Sequence, residues 1–317
     1  RRSSTSGFLP SRRKVRIRSM NNDRQRIGQA AALVTILIWG TTFISTKVLL
    51  DTLSPVEILF LRFSLGYLAL WLAAPRRLRL TDWRQEGLFA LAGLCGVTLY
   101  YGFENLALSA TRASNVGVII SIAPFFTVLF SAVFLKEKRP GLRFFAGFLI
   151  AMAGIMLISF NQEAVEIHPV GDGLAVLAAM IWAVYCLLSR RISELGYNVL
   201  LATRRTFFYG LLFMLPLTFT QFSVSFPTIL RPEILFNLVF LGLGASALCF
   251  VTWNLAVGIL GSVKTSVTIY IVPVITAVAS ALVLHEPLTP KVILGLALTL
   301  GGLVLSQNIN QEKEQKE

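Results

Sequence analysis

Charged residues are scarce in this sequence of 317 residues: Asp, Glu, Lys and Arg make up 14% of it, whereas roughly 25% is usual in soluble domains. A chain so poor in charge does not have enough polar side chains for the surface of an ordinary soluble domain. The apolar surplus, 55% of all residues with a mean hydropathy of +0.70, is therefore expected to face lipid.

Cysteine and histidine are also scarce, with three and two residues respectively. Cys95, Cys186 and Cys249 fall inside apolar segments and show no CxxC or Cys/His spacing, so we predict packing residues rather than a disulfide framework or a metal site. Both histidines, His168 and His285, fall in predicted outer loops. The sequence also has no P-loop, which argues against direct use of ATP, and we expect no cofactor.

Ten apolar segments are each long enough to cross a hydrocarbon core as a helix. They cover approximately residues 28–50, 55–74, 86–108, 112–135, 140–160, 171–192, 198–219, 232–257, 261–284 and 288–306. The connections between them are short and carry turn-forming residues, so none is expected to fold as a soluble domain. The sequence thus predicts an all-α integral membrane protein with about ten transmembrane helices.

The basic residues are placed unevenly along the chain, whose formal net charge is +13. If the N-terminus is cytoplasmic, the inner segments carry Arg24, Arg26, Arg76, Arg77, Arg79, Arg84, Lys136, Lys138, Arg139, Arg143, Arg190, Arg191, Lys313 and Lys316. The outer loops hold little beyond Arg112, Arg231 and Lys291. This bias predicts a protein of the cell (inner or plasma) membrane with both termini in the cytoplasm. We expect these bases to meet lipid head groups, not nucleic acid.

The two ends of the chain differ from its apolar middle. Residues 1–27 are rich in Arg and Ser, and we expect a disordered basic extension with Met20 as the native start. Residues 307–317 are expected to form a charged cytoplasmic tail.

The two halves of the sequence repeat each other. The matched pairs are Asn105 with Asn254, Pro124 with Pro273, Thr127 with Thr276, Ser131 with Ser280 and Glu137 with Glu286 at one offset, and Trp39 with Trp182 and Arg62 with Arg205 at a slightly shorter one. Residues 28–160 and 171–306 are therefore predicted to be two repeats of about five spans each. Because five is odd, the second repeat enters the membrane from the opposite side, and the repeats are inverted.

These residues resemble the EamA family of the drug/metabolite transporter superfamily. The resemblance rests on Trp39-Gly40-Thr41-Thr42-Phe43, Lys47, Arg62-Phe63, Asn105-Leu106-Ala107-Leu108, and the matched stretches 124–137 and 273–286. It implies two EamA repeats around a central cavity, and often the export of amino acids or other small metabolites. Sugar-phosphate and nucleotide-sugar carriers look like distant relatives with the same plan.

Charged residues inside spans are costly and are candidates for function. Lys47, Arg62 and Glu104 are expected in the outer half of the membrane. Either they form a salt-bridge network that locks an outer gate, or Glu104 binds substrate or couples protons.

The inner half of the predicted bundle carries Arg204, Arg205 and Lys264 with no obvious acid. A carboxylate-bearing substrate entering from the cytoplasm would find favourable charge there. The alternative is that these three bases extend to lipid phosphates at the membrane surface.

Polar and aromatic residues within spans complete the candidates for substrate binding or gating. The full set is Lys47, Arg62, Tyr100, Tyr101, Glu104, Asn105, Trp182, Tyr185, Arg205, Trp253, Asn254 and Tyr270, with Trp39 as a further cavity candidate. The asparagines either bond a neighbouring helix or contact ligand. Pro124 and Pro273 are predicted to break backbone hydrogen bonds at equivalent depths, as hinges or as static kinks.

The sequence therefore predicts a secondary transporter that works by alternating access and moves small metabolites, with amino acids or related compounds favoured. An organic-anion or sugar-phosphate exchanger of the same superfamily, and a channel or lipid-moving protein, are the alternatives. No paired acids, activated nucleophile or metal cluster is present, so we do not expect an enzyme. The expected partners are a small-molecule substrate and the lipid bilayer, and a homodimer is left open.

Overall fold

A computed structural model describes residues 12–110, 113–136, 140–160, 168–283 and 289–307, and these residues form helices with no strand among them. The helices are α1 Arg12–Leu50, α2 Pro55–Ala73, α3 Gln85–Gly93, α4 Tyr100–Ala110, α5 Ala113–Ile120, α6 Ala123–Phe134, α7 Leu142–Ser159, α8 Pro169–Glu194, α9 Val199–Gln221, α10 Phe226–Ile229, α11 Pro232–Val239, α12 Cys249–Leu260, α13 Ser262–Val267, α14 Ile271–Val283 and α15 Pro290–Gln307. The predicted all-helical fold is confirmed.

Seven helical stretches of the described chain are long and apolar enough to cross a membrane. They are Pro55–Ala73, Gln85–Ala107, Val116–Phe134, Leu142–Ser159, Pro169–Glu194, Val199–Gln221 and Pro232–Leu260, and Ser262–Ile275 and Pro290–Ser306 are shorter apolar helices. Large apolar side chains point outward from the bundle, and Leu142 and Phe219 are 85% and 84% exposed. Such exposure is favourable against hydrocarbon but not against water, so this is a multi-pass membrane protein.

The first helix begins earlier than the sequence led us to expect. Residues 12–27 were predicted to be disordered, but they form the first turns of α1. The stretch lacks proline and glycine and is rich in Arg, which favours helix, so the apolar helix extends through it without a break.

Both predicted hinge prolines lie in the first turn of a helix that follows an interruption. Pro124 is at the start of α6, after a turn at residues 121–122 that separates it from α5. Pro273 lies in the first turn of α14, after a 3-10 turn over Thr268–Tyr270. Proline fits a first turn because it has no N–H to donate, so the two spans are interrupted at matching places.

Two further interruptions are π-helical. Leu94–Leu99 joins α3 to α4, and Phe240–Leu248 joins α11 to α12. A π-helical turn shifts the side chains that follow it around the helix axis. The aromatic residues of α4 and α12 come directly after these turns.

The helices pack as antiparallel pairs. Gly28 in the middle of α1 lies against Leu260 at the end of α12, and seven residues further along α1 Thr35 Oγ1 lies 2.6 Å from Thr252 Oγ1. The pair α4 and α8 is also antiparallel, because Tyr100 meets Trp182 while Ala107 packs with Ala175 near the start of α8. Helix α1 of the first sequence half therefore packs against α12 of the second, and α8 of the second half packs against α4 of the first.

Helices α2 and α9 form a third antiparallel pair. The Phe60 ring near the start of α2 lies 6.0 Å from Phe222, which follows the end of α9, and the rings of Phe63 and Phe207 are 5.0 Å apart.

Helices α7 and α15 approach each other closely through small residues. A Cβ on Gly154 would come within 2.6 Å of Thr299 and of the Gly295 backbone, and Gly147 lies against Gly302 and Ser306. The backbones can approach this closely only because these positions lack large side chains, which is a common interface in membranes. We call this contact the glycine seam.

Candidate functional site

Three tryptophans meet in the middle of the bundle. The Trp39 ring on α1 lies 5.3 Å from Trp182 on α8 and 5.2 Å from Trp253 on α12, and Trp182 lies 5.8 Å from Trp253. The Phe250 ring packs against two of these tryptophans, at 6.3 Å from the Trp39 ring and 6.1 Å from the Trp182 ring. We call Trp39, Trp182, Trp253 and Phe250 the aromatic cluster. It joins residues of both sequence halves.

Asn254 lies one residue beyond the aromatic cluster and ties three helices together. Its Oδ1 accepts hydrogen bonds from Tyr185 Oη at 2.8 Å and from Ser189 Oγ at 2.7 Å. Its Nδ2 donates to Thr203 Oγ1 at 3.0 Å. Asn254 thus bonds α8 and α9, which was one of its two predicted roles.

A cavity of about 240 Å³ opens beside Asn254. Its lining consists of Arg24, Tyr185, Ser189, Ile192, Ser193, Tyr197, Val199, Ala202, Thr206, Asn254, Leu255, Gly258 and Ile259. These residues come from the first half of α1, the end of α8 and the connection after it, the start of α9 and the end of α12. We call this the basic end of the bundle, because Arg24, Arg190 and Arg204 lie there. Tyr185 and Asn254 separate the cavity from the aromatic cluster.

Arg62 lies on the other side of the aromatic cluster. It is only 5% exposed, its Nε donates to Ser246 Oγ at 2.9 Å, and its guanidinium lies 4.9 Å from the centre of the Tyr101 ring. Among the described residues it has no ion pair. The cation is therefore held by a hydroxyl and by aromatic faces.

Glu104 lies one turn along α4 from Tyr100, on the same side of the cluster as Arg62. Tyr100 Oη donates to Glu104 Oε1 at 3.5 Å, which is a long hydrogen bond. Asn105 follows it and is half-buried. The predicted salt-bridge network is not formed between Arg62 and Glu104, and the side chain of Lys47 lies outside the described part of α1. Which of these residues touch substrate stays a prediction.

Arg205 corrects the expectation of an inner half without acids. Its guanidinium forms an ion pair with Glu86, in which Nε lies 3.0 Å from Oε2 and Nη2 contacts Oε1. Tyr209 Oη donates to the same carboxylate at 2.7 Å. The error arose because Glu86 was read only as the first residue of a span, and α3 brings it against α9.

Arg204 corrects the expectation of a base extended to lipid. It is 8% exposed, and its guanidinium donates to the carbonyls of Ala74 and Arg76 at the end of α2. Its guanidinium therefore binds backbone carbonyls of the connection that follows α2. Lys264, by contrast, is exposed near the end of α13.

Glu57 is a buried acid that sequence reasoning missed. Its carboxylate accepts hydrogen bonds from the backbone N–H groups of Ser54, Ser223 and Val224, at 2.7, 2.8 and 2.7 Å. Ser54 and Glu57 form a capping box, and the spacing of these two residues in the sequence was the available signal. The contact ties the connection after α9 to the start of α2, at the end of the bundle opposite the basic end.

Tyr270 lies apart from the cavity. It is fully buried in a second core with Val267 and Phe144, and its Oη has no hydrogen-bond partner among the described residues. The cysteines are free thiols, two of them buried. Within the described ranges no group of three His, Cys, Asp or Glu side chains could hold a metal ion.

A bundle of apolar helices around an aromatic cluster and a polar cavity defines a multi-pass membrane protein with room for a small solute. The family model of the EamA-like transporter family matches residues 26–160 and again residues 169–307. The chain belongs to this family, so it is a transporter with a small-molecule substrate.

Several relatives match along most of their length. An uncharacterised transporter of Archaeoglobus fulgidus is 29% identical, over 86% of this chain and 94% of its own. A "probable terminal-alkyne amino-acid exporter" of Streptantibioticus cattleyicolor is 27% identical, over 87% and 91%. The aromatic amino acid exporter YddG of Salmonella typhimurium is also 27% identical, over 81% and 88%.

One crystal structure similar to this chain has a TM-score of 0.73 and 21% sequence identity. It covers 90% of this chain and 98% of its own. At this identity the likeness concerns the fold alone.

Proposed function

We propose that this protein is a secondary transporter that exports amino acids or related small metabolites across the cell membrane by alternating access. The observation that carries the proposal is the cavity that ends on Tyr185 and Asn254, directly beside an aromatic cluster to which both sequence halves contribute. In transporters built from repeats, the substrate site lies at the interface between the repeats.

The packing of matched helices supports about ten spans arranged as two inverted repeats, over residues 28–160 and 171–306. Helices α2 and α9 hold matched places in the two halves and run antiparallel, as do α7 and α15. The pairs α1 with α12 and α4 with α8 are each other's counterparts. Such reciprocal, antiparallel contacts are expected of a pseudo-two-fold axis in the membrane plane.

The cavity opens on the side from which an exported solute would be loaded. It opens at the basic end, where Arg24 lines it and Arg190 donates to the Gly258 carbonyl at 2.9 Å. By the positive-inside rule this end is cytoplasmic, as are both termini. A cytoplasmic solute therefore reaches Asn254 directly, whereas the aromatic cluster separates it from the other side of the membrane.

The chemistry of the lining supports a small substrate with polar groups and an apolar part. Tyr185, Ser189 and Asn254 offer hydrogen-bonding groups, and the neighbouring rings offer an apolar surface. Amino acids have both polar groups and an apolar part, and two relatives are named amino-acid exporters. We therefore favour amino acids as the substrate class.

The test is counterflow in liposomes that contain the purified chain, with labelled amino acids, organic acids, sugar phosphates and nucleosides. We expect saturable counterflow of amino acids. Asn254→Leu removes the hydrogen bonds to Tyr185, Ser189 and Thr203 and should lower the rate at least about tenfold. Asn237→Leu is the matched control, because Asn237 is a half-buried asparagine on α11 that is not among the lining residues of the cavity and whose amide donates to the Glu233 carbonyl.

Other outcomes would redirect the proposal. Flux that does not saturate would indicate a channel, and saturable counterflow of organic acids or sugar phosphates alone would replace the substrate class. Equal rates for the two asparagine variants would remove the cavity at Asn254 from the transport path.

A further inference from the structure

Two opposite charges lie near each other in the bundle without forming an ion pair. In the described part of the bundle, Arg62 Nε donates to Ser246 Oγ while its guanidinium faces Tyr101, and Glu104 accepts a long hydrogen bond from Tyr100. The two charges attract each other electrostatically, but among the described residues neither belongs to an ion pair. Charges within a membrane bundle are costly unless paired, so both have unused capacity for a partner.

A third polar group at the same place also lacks a partner. The indole Nε1 of Trp182 is buried with no hydrogen-bond partner in the described structure. The Trp182 ring lies 4.8 Å from Tyr100, and the Tyr100 ring lies 4.8 Å from Tyr101. Since the Arg62 guanidinium is over Tyr101, a continuous row of rings connects Trp182 to both charges.

Unpaired polar groups within a membrane bundle usually have a function, because packing alone would favour apolar residues in their place. A ligand that brought a negative group to Arg62 and a positive group to Glu104 would satisfy both at once. An anion would leave Glu104 without a partner, and a cation would leave Arg62 without one. Only a ligand with both charges removes the two costs together.

We propose that Arg62 and Glu104 form a charged subsite that selects zwitterionic substrates, with the substrate carboxylate on Arg62 and its ammonium group on Glu104. The inference rests on the proposed transport of amino acids. The ammonium and carboxylate groups of an α-amino acid are attached to the same carbon, and the side chain on that carbon then lies against Tyr100, Tyr101 and the aromatic cluster. The subsite is across the cluster from the cavity, so the substrate reaches it after leaving Asn254.

The proposal is tested by equilibrium binding of three probes to the full chain in lipid nanodiscs. The probes are phenylalanine, phenethylamine, which lacks the carboxylate, and 3-phenylpropionate, which lacks the ammonium group. A hydrogen bond between a charged group of the protein and its ligand typically increases the binding affinity by about 10- to 100-fold. The unaltered protein should therefore prefer phenylalanine to either analogue by about that factor.

The variants separate the two charges. Arg62→Gln should bind phenylalanine and phenethylamine equally, yet still discriminate against 3-phenylpropionate. Glu104→Gln should bind phenylalanine and 3-phenylpropionate equally, yet still discriminate against phenethylamine. Arg62→Lys and Glu104→Asp keep the charges and should retain part of both preferences. The controls Arg84→Gln and Glu233→Gln, both exposed, should leave all ratios unchanged.

Two results would overturn the subsite. In the first, the unaltered protein binds either analogue as tightly as phenylalanine. This result does not depend on whether any variant folds. The other is a pair of variants that weaken all three probes by the same factor, as expected if the charges only hold helices together. Failure of the proposed function looks different: the unaltered protein would then show counterflow of another class and bind none of the three probes, which excludes the subsite as well.

Discussion

Replacement of Glu57 by alanine should weaken the end of the bundle opposite the cavity. The Glu57 side chain is 2% exposed, and its carboxylate accepts from the backbone of Ser54, Ser223 and Val224. It also accepts from Ser223 Oγ at 3.3 Å. Alanine would leave three backbone N–H groups without their partner and free the connection after α9 from α2.

The size of the effect follows from the surroundings of those donors. A lost hydrogen bond to a charged group costs about 1.5–3 kcal/mol when the donor is fully buried. Ser223 is exposed and Ser54 half-buried, so water takes over part of the bonding. We therefore expect about 2–4 kcal/mol in total for Glu57→Ala, or a midpoint lower by roughly 5–10 °C. Glu57→Gln keeps one acceptor oxygen and should lose about half as much.

The protein carries its own reporter for this measurement. Cys186 and Cys249 are buried free thiols, so a thiol-reactive fluorophore added during heating in detergent reads out unfolding. Glu233→Ala is the matched control, because Glu233 is also an acid in the first turn of its helix but is exposed. A midpoint for Glu57→Ala within about 2 °C of that control would refute the reasoning.

Two further predictions concern packing and orientation. Gly154→Ala should lower the unfolding midpoint by several degrees, because the added methyl meets Thr299 in the glycine seam. The control Gly173→Ala adds a methyl where a Cβ has open space, so its midpoint should equal or exceed that of the unaltered protein. Equal midpoints for the two variants would contradict the seam. In intact cells, a membrane-impermeant thiol reagent should label Ser225→Cys and spare Asp82→Cys, with the unaltered chain as background; the reverse pattern would contradict cytoplasmic termini.

Much of the fold could be predicted because lipid restricts the chain to few solutions. Each apolar segment has to satisfy its backbone hydrogen bonds internally, so its length and composition identify a helix. The match of Trp39 with Trp182 in the sequence also anticipated residues that meet in the structure, with rings 5.3 Å apart. Proline positions indicated the interruptions before α6 and α14, since proline cannot donate within a helix.

The sequence did not reveal which polar residues pair across helices. Glu86 and Arg205 are far apart in the chain, and only the packing of α3 on α9 brings them together. Arg204 differs from a surface base only because the end of α2 lies beside it. The start of α1 was misjudged for the opposite reason: basic composition suggested disorder, although its residues are good helix formers.

The glycine seam also bears on how the two halves find each other. Its contacts are between backbone atoms and small side chains of α7 and α15, one helix from each half, so recognition is built into the halves themselves. The connection between Phe160 and His168 then acts as a tether that raises the effective concentration of one half around the other. Two separately made half-chains carrying α7 and α15 would lose this tether but keep the same interface.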